Sequence, residues 1–452
     1  MMKKIALLTV VLLTIVNIAN VFGEPTQLNW LGHWKGEDKR EQLVEEVKKE
    51  YEFLNPEVQI HFLYDKDLQT QGDNYKWKTA NEIVDMIKTG DIRWDVITLG
   101  GAVYNHVAEL LGDPEWGAKH LVDFSTVPGF LQTQEDFIVN DPYYKNQTGG
   151  IFVGPLIEGF ITCLWYNPEV AEKAGIKVKS RGMTVDDFLS YAEKLSEYNR
   201  RNYDGVPFIK LCSWNRLETL FEYLFRTQLD SPEEGVEEKY SEKKKKAFLS
   251  TLLIFEEFAR FQPVINKDWK SLDWEQWKQG FLDGDGLFVT AGTYMYSGFR
   301  GIDPVKFSKL VPVESPYVKK TNGLVGDYIN TFAVMKKSSN KKAAIDLLML
   351  WSEPKVAEKW ITYTKNPTGI KGHLDDPVGR VLTDNVYNNF VREMTRKYGN
   401  MPMRYFRAPS YVFGSENPVT ANELREKLAE ILEGKLSAQA YFDDVIRRYQ
   451  NR

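Results

Sequence analysis

Residue types capable of driving a reaction are present, but not in reactive arrangements. Asp65-Lys66-Asp67 follows the apolar run Val58–Leu63, and two aspartates so placed could take up and release a phosphoryl group. That chemistry needs a small hydroxyl or branched side chain two positions after the second aspartate, where this chain has Gln69. Asp283-Gly284-Asp285-Gly286 offers two carboxylates, yet lacks the further oxygen ligands and terminal glutamate of a calcium loop, and reads as a turn. The five histidines, His33, His61, His106, His120 and His373, are scattered without metal-ligand spacing. There is no phosphate-cradling glycine–lysine loop, no HExxH helix and no GxSxG nucleophile turn. Cys163 and Cys212 lie in apolar, strand-like stretches outside any metal-spaced set, which favours buried free thiols over a bridge. The inventory points to binding without covalent chemistry, with no metal and no cofactor.

The elements that would position a binding site alternate between strand and helix. Gln27–Leu31 is predicted as a strand, Trp34–Gly36 as a turn, and Lys39–Leu54 as a helix whose Leu43, Val47, Tyr51 and Leu54 repeat at one-sided spacing. Asn55-Pro56 stops that helix, because the residue before proline is pushed out of helical geometry. A strand at Val58–Leu63, a helix at Asn81–Lys88 closed by Gly90, and a strand at Asp95–Leu99 follow. The order resumes with a strand at Phe160–Tyr166, a helix capped by Thr184, a helix at Ser241–Phe261 and a strand at Gly286–Thr290. A strand at Tyr328–Met335, a helix through Ala343–Leu350 and a helix from Thr420 to Gly434 complete it. This order predicts an α/β fold with mainly parallel sheets and a ligand at the carboxyl ends of the strands.

Length and charge bound the rest. A chain of 452 residues suggests more than one folding unit, and no repeat or low-complexity tether separates them. Lys3 and Lys4, the apolar run Ile5–Val16 and Val21-Phe22-Gly23 have the form of a secretory signal cleaved near Gly23, too short to span a bilayer. Residues 1–23 are therefore expected to be removed, leaving a periplasmic protein with a net charge of about −7. An acidic chain is a poor nucleic-acid ligand. The Lys243–Lys246 run beside Glu237, Glu238 and Glu242 is expected to be a solvated helix end.

Several separated segments resemble one family. Leu164-Trp165-Tyr166-Asn167-Pro168-Glu169-Val170 running into Ala171–Ile176, then Thr184–Leu189, is similar to the strand end and helices of solute-binding proteins of ABC sugar importers, as typified by maltose-binding protein. Gly326–Lys337, Ala343–Trp351, Asn366-Pro367-Thr368-Gly369 and Leu432–Ser437 match later parts of that family in the same order. The resemblance implies a two-lobed periplasmic-binding-protein fold with hinge crossings and a central cleft. Residues 24–154 and 326–375 would form the first lobe; 155–325 and 376–452 would form the second. It further implies a monomer that captures a sugar by hinge closure and delivers it to the membrane subunits of an ABC permease, without being an enzyme.

The same resemblance nominates contacts. A sugar offers apolar C–H faces and polar edges, so it needs flat rings and a few carboxylates or amides. Glu158 stands at the lobe crossing, where the family has a ligand-contacting glutamate, and Tyr294 replaces a stacking tryptophan. Trp34 and Lys35 occupy a ligand-facing loop, Gly101 and Tyr104 follow the third strand, Tyr328 replaces a tryptophan beside the hinge, and Trp214 follows a strand. The glycines at 100 and 101 depart from the acidic or aromatic contact frequent there, which leaves the sugar undefined. A non-sugar solute (polyamine, anion or phosphodiester) in the same fold and a secreted carbohydrate-active enzyme are the competing readings. The enzyme would need two carboxylates about 5–10 Å apart.

Overall fold

The computed structural model describes residues 25–72, 74–213, 217–230, 234, 239–319, 326–371, 410–413 and 418–451. The segment expected to be a secretory signal lies outside them. Two sheets organise the chain. The first is built from β1 (Thr26–Gly32), α1 (Asp38–Leu54), β2 (Val58–Tyr64), α2 (Tyr75–Thr89), β3 (Val96–Thr98) and α3 (Gly100–Leu111). The short helix α4 (Pro142–Asn146) precedes the strand β4 (Glu158–Tyr166), which starts the second sheet. There α5 (Val185–Asn202), α6 (Leu217–Arg226), α7 (Glu242–Phe258) and α8 (Trp274–Leu282) lead to β5 (Phe288–Gly292), α9 (Met295–Arg300) and β6 (Val311–Val313). The chain returns through β7 (Gly326–Ile329) and β8 (Phe332–Val334) to α10 (Lys341–Trp351) and α11 (Pro354–Thr364), and ends in α12 (Ala421–Leu432) and α13 (Ala438–Gln450).

The first sheet has the order β2-β1-β3-β8, with β1 parallel to β2 and β3 but β3 antiparallel to β8. In the second, β4 is antiparallel to β5, β6 and β7, so antiparallel strands join the parallel ones in both sheets. The cause is the crossing between lobes. Parallel strands point their carboxyl ends at the cleft, so a chain arriving from the other lobe enters at that end and must run the opposite way. β4 and β8 are those arrivals. Away from them the second sheet is parallel, through the bridges of Ile209 with Ile265 and with Phe288.

Each sheet carries its own core. Trp30, Trp34, Val96, Phe332, Trp351 and Trp360 pack on one side of the first, and Ile97, Val103, Trp116 and Ala333 on the other. Phe188, Phe208, Phe221, Phe248, Phe288 and Leu424 pack around the second, opposite Trp165, Trp277, Val289 and Phe299. Cys163 and Cys212 are both buried there, and neither forms a disulfide.

Local departures from the predicted elements have simple causes. α2 begins at Tyr75, before the predicted Asn81, because the Asn74 side chain accepts from the backbone N–H groups of Lys76 and Trp77. The predicted strand Tyr328–Met335 breaks into β7 and β8 because the Asn330 and Thr331 carbonyls turn to accept from Gly100 and Leu99. Within the lysine run, Lys244 is buried, its Nζ donating to the Lys239 carbonyl, so that helix end is only partly solvated. The Thr184 cap forms as its sequence predicts, and Asp187 completes it into a capping box. No helix among the described residues is long and apolar enough to cross a membrane.

Candidate functional site

The carboxyl ends of β1 and β2 release their chains side by side, and this places polar residues from two loops on one floor. His33 leaves β1 and Asp65 leaves β2, and the His33 Nδ1 lies 2.7 Å from a buried Asp65 Oδ2. Burial alone would lower the His33 imidazole, but the charge and hydrogen bond of Asp65 outweigh it and its pKa is raised. Lys35 pairs with Asp67 at the exposed edge of the same floor.

Beneath it, the first turns of α1 bring in Glu37 and Arg40. The Arg40 Nη1 donates to the Glu37 Oε2 at 3.2 Å and lies 3.0 Å from the Glu158 Oε1. Its guanidinium stands 5.0 Å from the ring centre of Trp360 and 5.6 Å from that of Trp34, a cation held over aromatic faces. Burial pushes the Glu37 carboxyl up, yet Arg40, His33, Lys66 and Lys278 together hold it below the usual range. The Arg40 Nε and Nη2, both buried, have no hydrogen-bond partner among the described residues.

The second lobe faces this floor with the end of β5, with α9 and with α8. Thr293 and Tyr294 follow β5, and the Tyr294 ring meets Phe160 of β4 edge-on at 5.6 Å. Contacts bridge the two lobes directly. Arg300 Nε is 3.1 Å from Asp38 Oδ2, Lys66 Nζ is 3.5 Å from Glu275 Oε1, and Lys278 Nζ is 2.8 Å from Glu275 Oε2 on its own helix. The Ser297 Oγ of α9 is buried and has no hydrogen-bond partner among the described residues.

The nominated residues separate on this geometry. Glu158 is buried at the first residue of β4, on the crossing between lobes, where Thr331 Oγ1 also donates to it at 3.4 Å. Tyr294 is partly exposed on the opposite lobe, Lys35 lies in the loop after β1, and Gly101 lies in the first turn of α3 on the first lobe. Tyr328 lies on the hinge strand β7, its ring 5.3 Å from Phe137, and burial raises its hydroxyl well above the usual range. Trp34 and Tyr104 require correction as ring platforms. Trp34 is fully enclosed against Phe332, Trp351 and Trp360, because the positive φ of 72° at this residue turns it back into the lobe. Tyr104 shares the inward face of α3 with Val103 and Val107, stacks on Trp116 at 4.9 Å and donates its hydroxyl to the Pro114 carbonyl. Trp214 lies outside the described residues.

Residues 72–380 match the family described as bacterial extracellular solute-binding protein. The chain belongs to that family. Its members act by holding a solute rather than by transforming it, and its description places the protein outside the cytoplasm. Curated proteins offer no sequence match. Among solved structures, this solute-binding protein is similar to a chitin oligosaccharide binding protein, with a TM-score of 0.67 at 16% identity, over 95% of this chain and 99% of that one. It is also similar to the GacH receptor of Streptomyces glaucescens, described with acarbose, with a TM-score of 0.63 at 14% identity, over 94% of this chain and 98% of the receptor. The substrate-binding protein Lmo0181 of Listeria monocytogenes, in complex with cycloalternan, gives a TM-score of 0.63 at 14% identity, over 94% and 98% of the two chains. At these identities the likeness establishes the two-lobed fold.

The sequence reading of this solute-binding protein missed most of its cleft charges: His33, Glu37, Arg40, Asp65, Lys66, Lys278 and Arg300. One signal was available. The rule that ligands gather at the carboxyl ends of parallel strands points to residues 33–37 and 65–67 as soon as β1 and β2 are placed. Lys278 and Arg300 carry no such signal, since only the approach of the lobes brings them to the floor. Asp283 is held by Lys306, and Asp285 lies 3.6 Å from Lys210 Nζ, so that loop is tied to neighbouring cations.

Proposed function

We propose that this solute-binding protein captures a neutral, polyhydroxylated solute, a sugar or oligosaccharide, and hands it to an ABC permease. The observation that carries the reading is the charge balance of the cleft. Every carboxylate described above already faces a cation: Asp65 with His33, Asp67 with Lys35, Glu37 and Glu158 with Arg40, Asp38 with Arg300, and Glu275 with Lys66 and Lys278. A polyamine would have to displace those cations, and an anion would have to displace the carboxylates. Hydroxyl groups can instead bridge paired charges, donating to one partner and accepting from the other. The Arg40 Nε and Nη2, Ser297 Oγ and Asn330 Oδ1, without partners among the described residues, offer further donors and acceptors, and the Tyr294 ring offers a flat face. Neighbours of the same fold that hold raffinose, stachyose or cycloalternan support the class.

On this reading Glu158, Tyr294, Lys35, Gly101 and Tyr328 line the bound solute, and Trp214 stays a candidate on its position in the sequence. The lobes comprise residues 24–154 with 326–375, and 155–325 with 376–452, a division supported by the two separate sets of core residues. Cleavage near Gly23 would release a periplasmic monomer. The test is a melting-temperature screen of the purified protein against raffinose, stachyose, cycloalternan, chitin oligosaccharides, spermidine and inorganic phosphate, since a bound solute stabilises by mass action. A rise with at least one sugar supports the reading. A rise confined to spermidine or phosphate overturns it.

A further inference from the structure

Two ion pairs span the lobes at the rim of the cleft. Asp38, in the first turn of α1, lies 3.1 Å from Arg300, the last residue of α9. Each occupies the helix end that favours its charge, an acid at the amino end and a base at the carboxyl end. Lys66, in the loop after β2, reaches Glu275 on α8 at 3.5 Å while donating to its own neighbour, the Lys35 carbonyl, at 2.9 Å. Glu275 also holds Lys278, which is only 1% exposed. Backbone closes the seam: a Cβ on Gly301 would stand 2.3 Å from the Gly36 carbonyl oxygen.

We infer that the seam Asp38–Arg300 and Lys66–Glu275–Lys278 is an electrostatic latch that holds the lobes together in the absence of solute, so that ionic strength sets the fraction of open protein. The inference rests on the cleft being a clamp, but not on what it clamps. Charge pairs that are a quarter to a half exposed are each worth up to about 1 kcal/mol, roughly a fivefold change in the open-to-closed ratio, and salt screens them. A latch of that size keeps the ligand-free protein closed most of the time while allowing release. It also predicts that solute uptake is faster in high salt, because open protein is more abundant.

The test uses the full chain with no sugar. Nitroxide labels at Gln69→Cys and Lys270→Cys, both exposed rim positions on opposite lobes, report the inter-lobe distance by double electron–electron resonance. Cys163 and Cys212 are 2% and 0% exposed and stay unlabelled. Raising the salt from about 0.05 to 1 M is expected to shift population from a short to a long distance, since the screening length falls to about 3 Å. Arg300→Glu or Asp38→Arg alone should give the long distance at low salt, with the open-to-closed ratio up roughly fivefold or more. Combining Asp38→Arg with Arg300→Glu should restore the short distance, a rescue that simple loss of packing would not produce. Single reversals that leave the distances unchanged at low salt would overturn the latch, as would a double reversal as open as the singles. Neither result bears on the solute class, which the melting screen decides without reference to the latch.

Discussion

The carbonyl of Gly36 and the Cα of Gly301 approach so closely that a methyl group on the latter would stand 2.3 Å from the oxygen, with the Asp38 backbone nitrogen 3.3 Å away. Both neighbours on the first lobe are backbone, which cannot swing aside like a side chain. Gly301→Ala must therefore part the lobes or strain them, at an overpacking cost of about 1–3 kcal/mol. Gly301 belongs to one lobe and Gly36 to the other, so the fold of each half should survive. The expected outcome is an unchanged melting profile without solute, a larger radius of gyration by small-angle scattering, and solute affinity lower by roughly five- to 150-fold. An unaltered radius and affinity would show that the lobes do not close on this contact.

Arg40 joins the two halves from below. Its guanidinium faces Glu37 and Glu158 while lying over Trp360, and both it and Glu158 are almost fully enclosed. Removing the cation alone strands the buried Glu158 carboxylate and takes from the partly exposed Glu37 its nearest cation, and breaking a buried pair in this way costs about 3–5 kcal/mol. Arg40→Met should lower the urea midpoint accordingly, and adding Glu158→Gln should recover part of the loss because the stranded charge is gone. Equal midpoints for the single and double variants would mean that Glu158 has another way to stay solvated.

The contrast between these two regions shows what the sequence makes legible. Alternating strand and helix periodicity, the Thr184 cap and the Asn55-Pro56 stop all act within a few residues, so the elements were readable to within a few positions. The sense of β4 and β8 was not, because it follows from where the chain crosses between lobes. Glu158 could be singled out from its place before the Tyr166-Asn167 strand end, whereas Arg300 and Lys278 meet the first lobe only through closure, across more than 200 residues of chain. Trp34 shows the opposite failure. Its loop position suggested a ring for ligand, but a left-handed backbone turn at that residue carries the indole into the core.

Tyr294 carries the flat surface of the second lobe. It follows Gly292 of β5, where a Cβ would come within 2.5 Å of the Tyr294 ring, and it rests edge-on against Phe160. The glycine thus lets the ring lie close across the strand. Tyr294→Ala removes that face and is expected to weaken sugar binding by about tenfold, while Tyr294→Phe keeps the face and should cost little unless the hydroxyl also binds. Isothermal titration with a sugar that raises the melting temperature of the parent protein separates the two. Parent-like affinity for Tyr294→Ala would remove this residue from the site.

His33 and Glu37 give the cleft floor opposite responses to pH. The His33 pKa is raised from 6.5, so its protonated form is the one the fold favours. That contribution is complete below about pH 6.5 and fades as pH rises through the raised value. The Glu37 pKa is lowered from 4.5, so its ionised form is favoured; that contribution is present above about pH 4.5 and fades as pH falls through the lowered value. Stability from this pair should therefore peak between about pH 4.5 and 6.5. His33→Gln should act mainly on the upper limb of a urea-midpoint profile and Glu37→Gln mainly on the acid limb, each also weakening the other limb because the two charges support one another. The imidazole of His33, followed by nuclear magnetic resonance, should titrate above 6.5 in the parent. In Asp65→Asn that midpoint should drop, since burial then acts on the ring without the carboxylate that outweighs it. A His33 that titrates below 6.5 in the parent would mean that the 2.7 Å contact with Asp65 does not persist in solution.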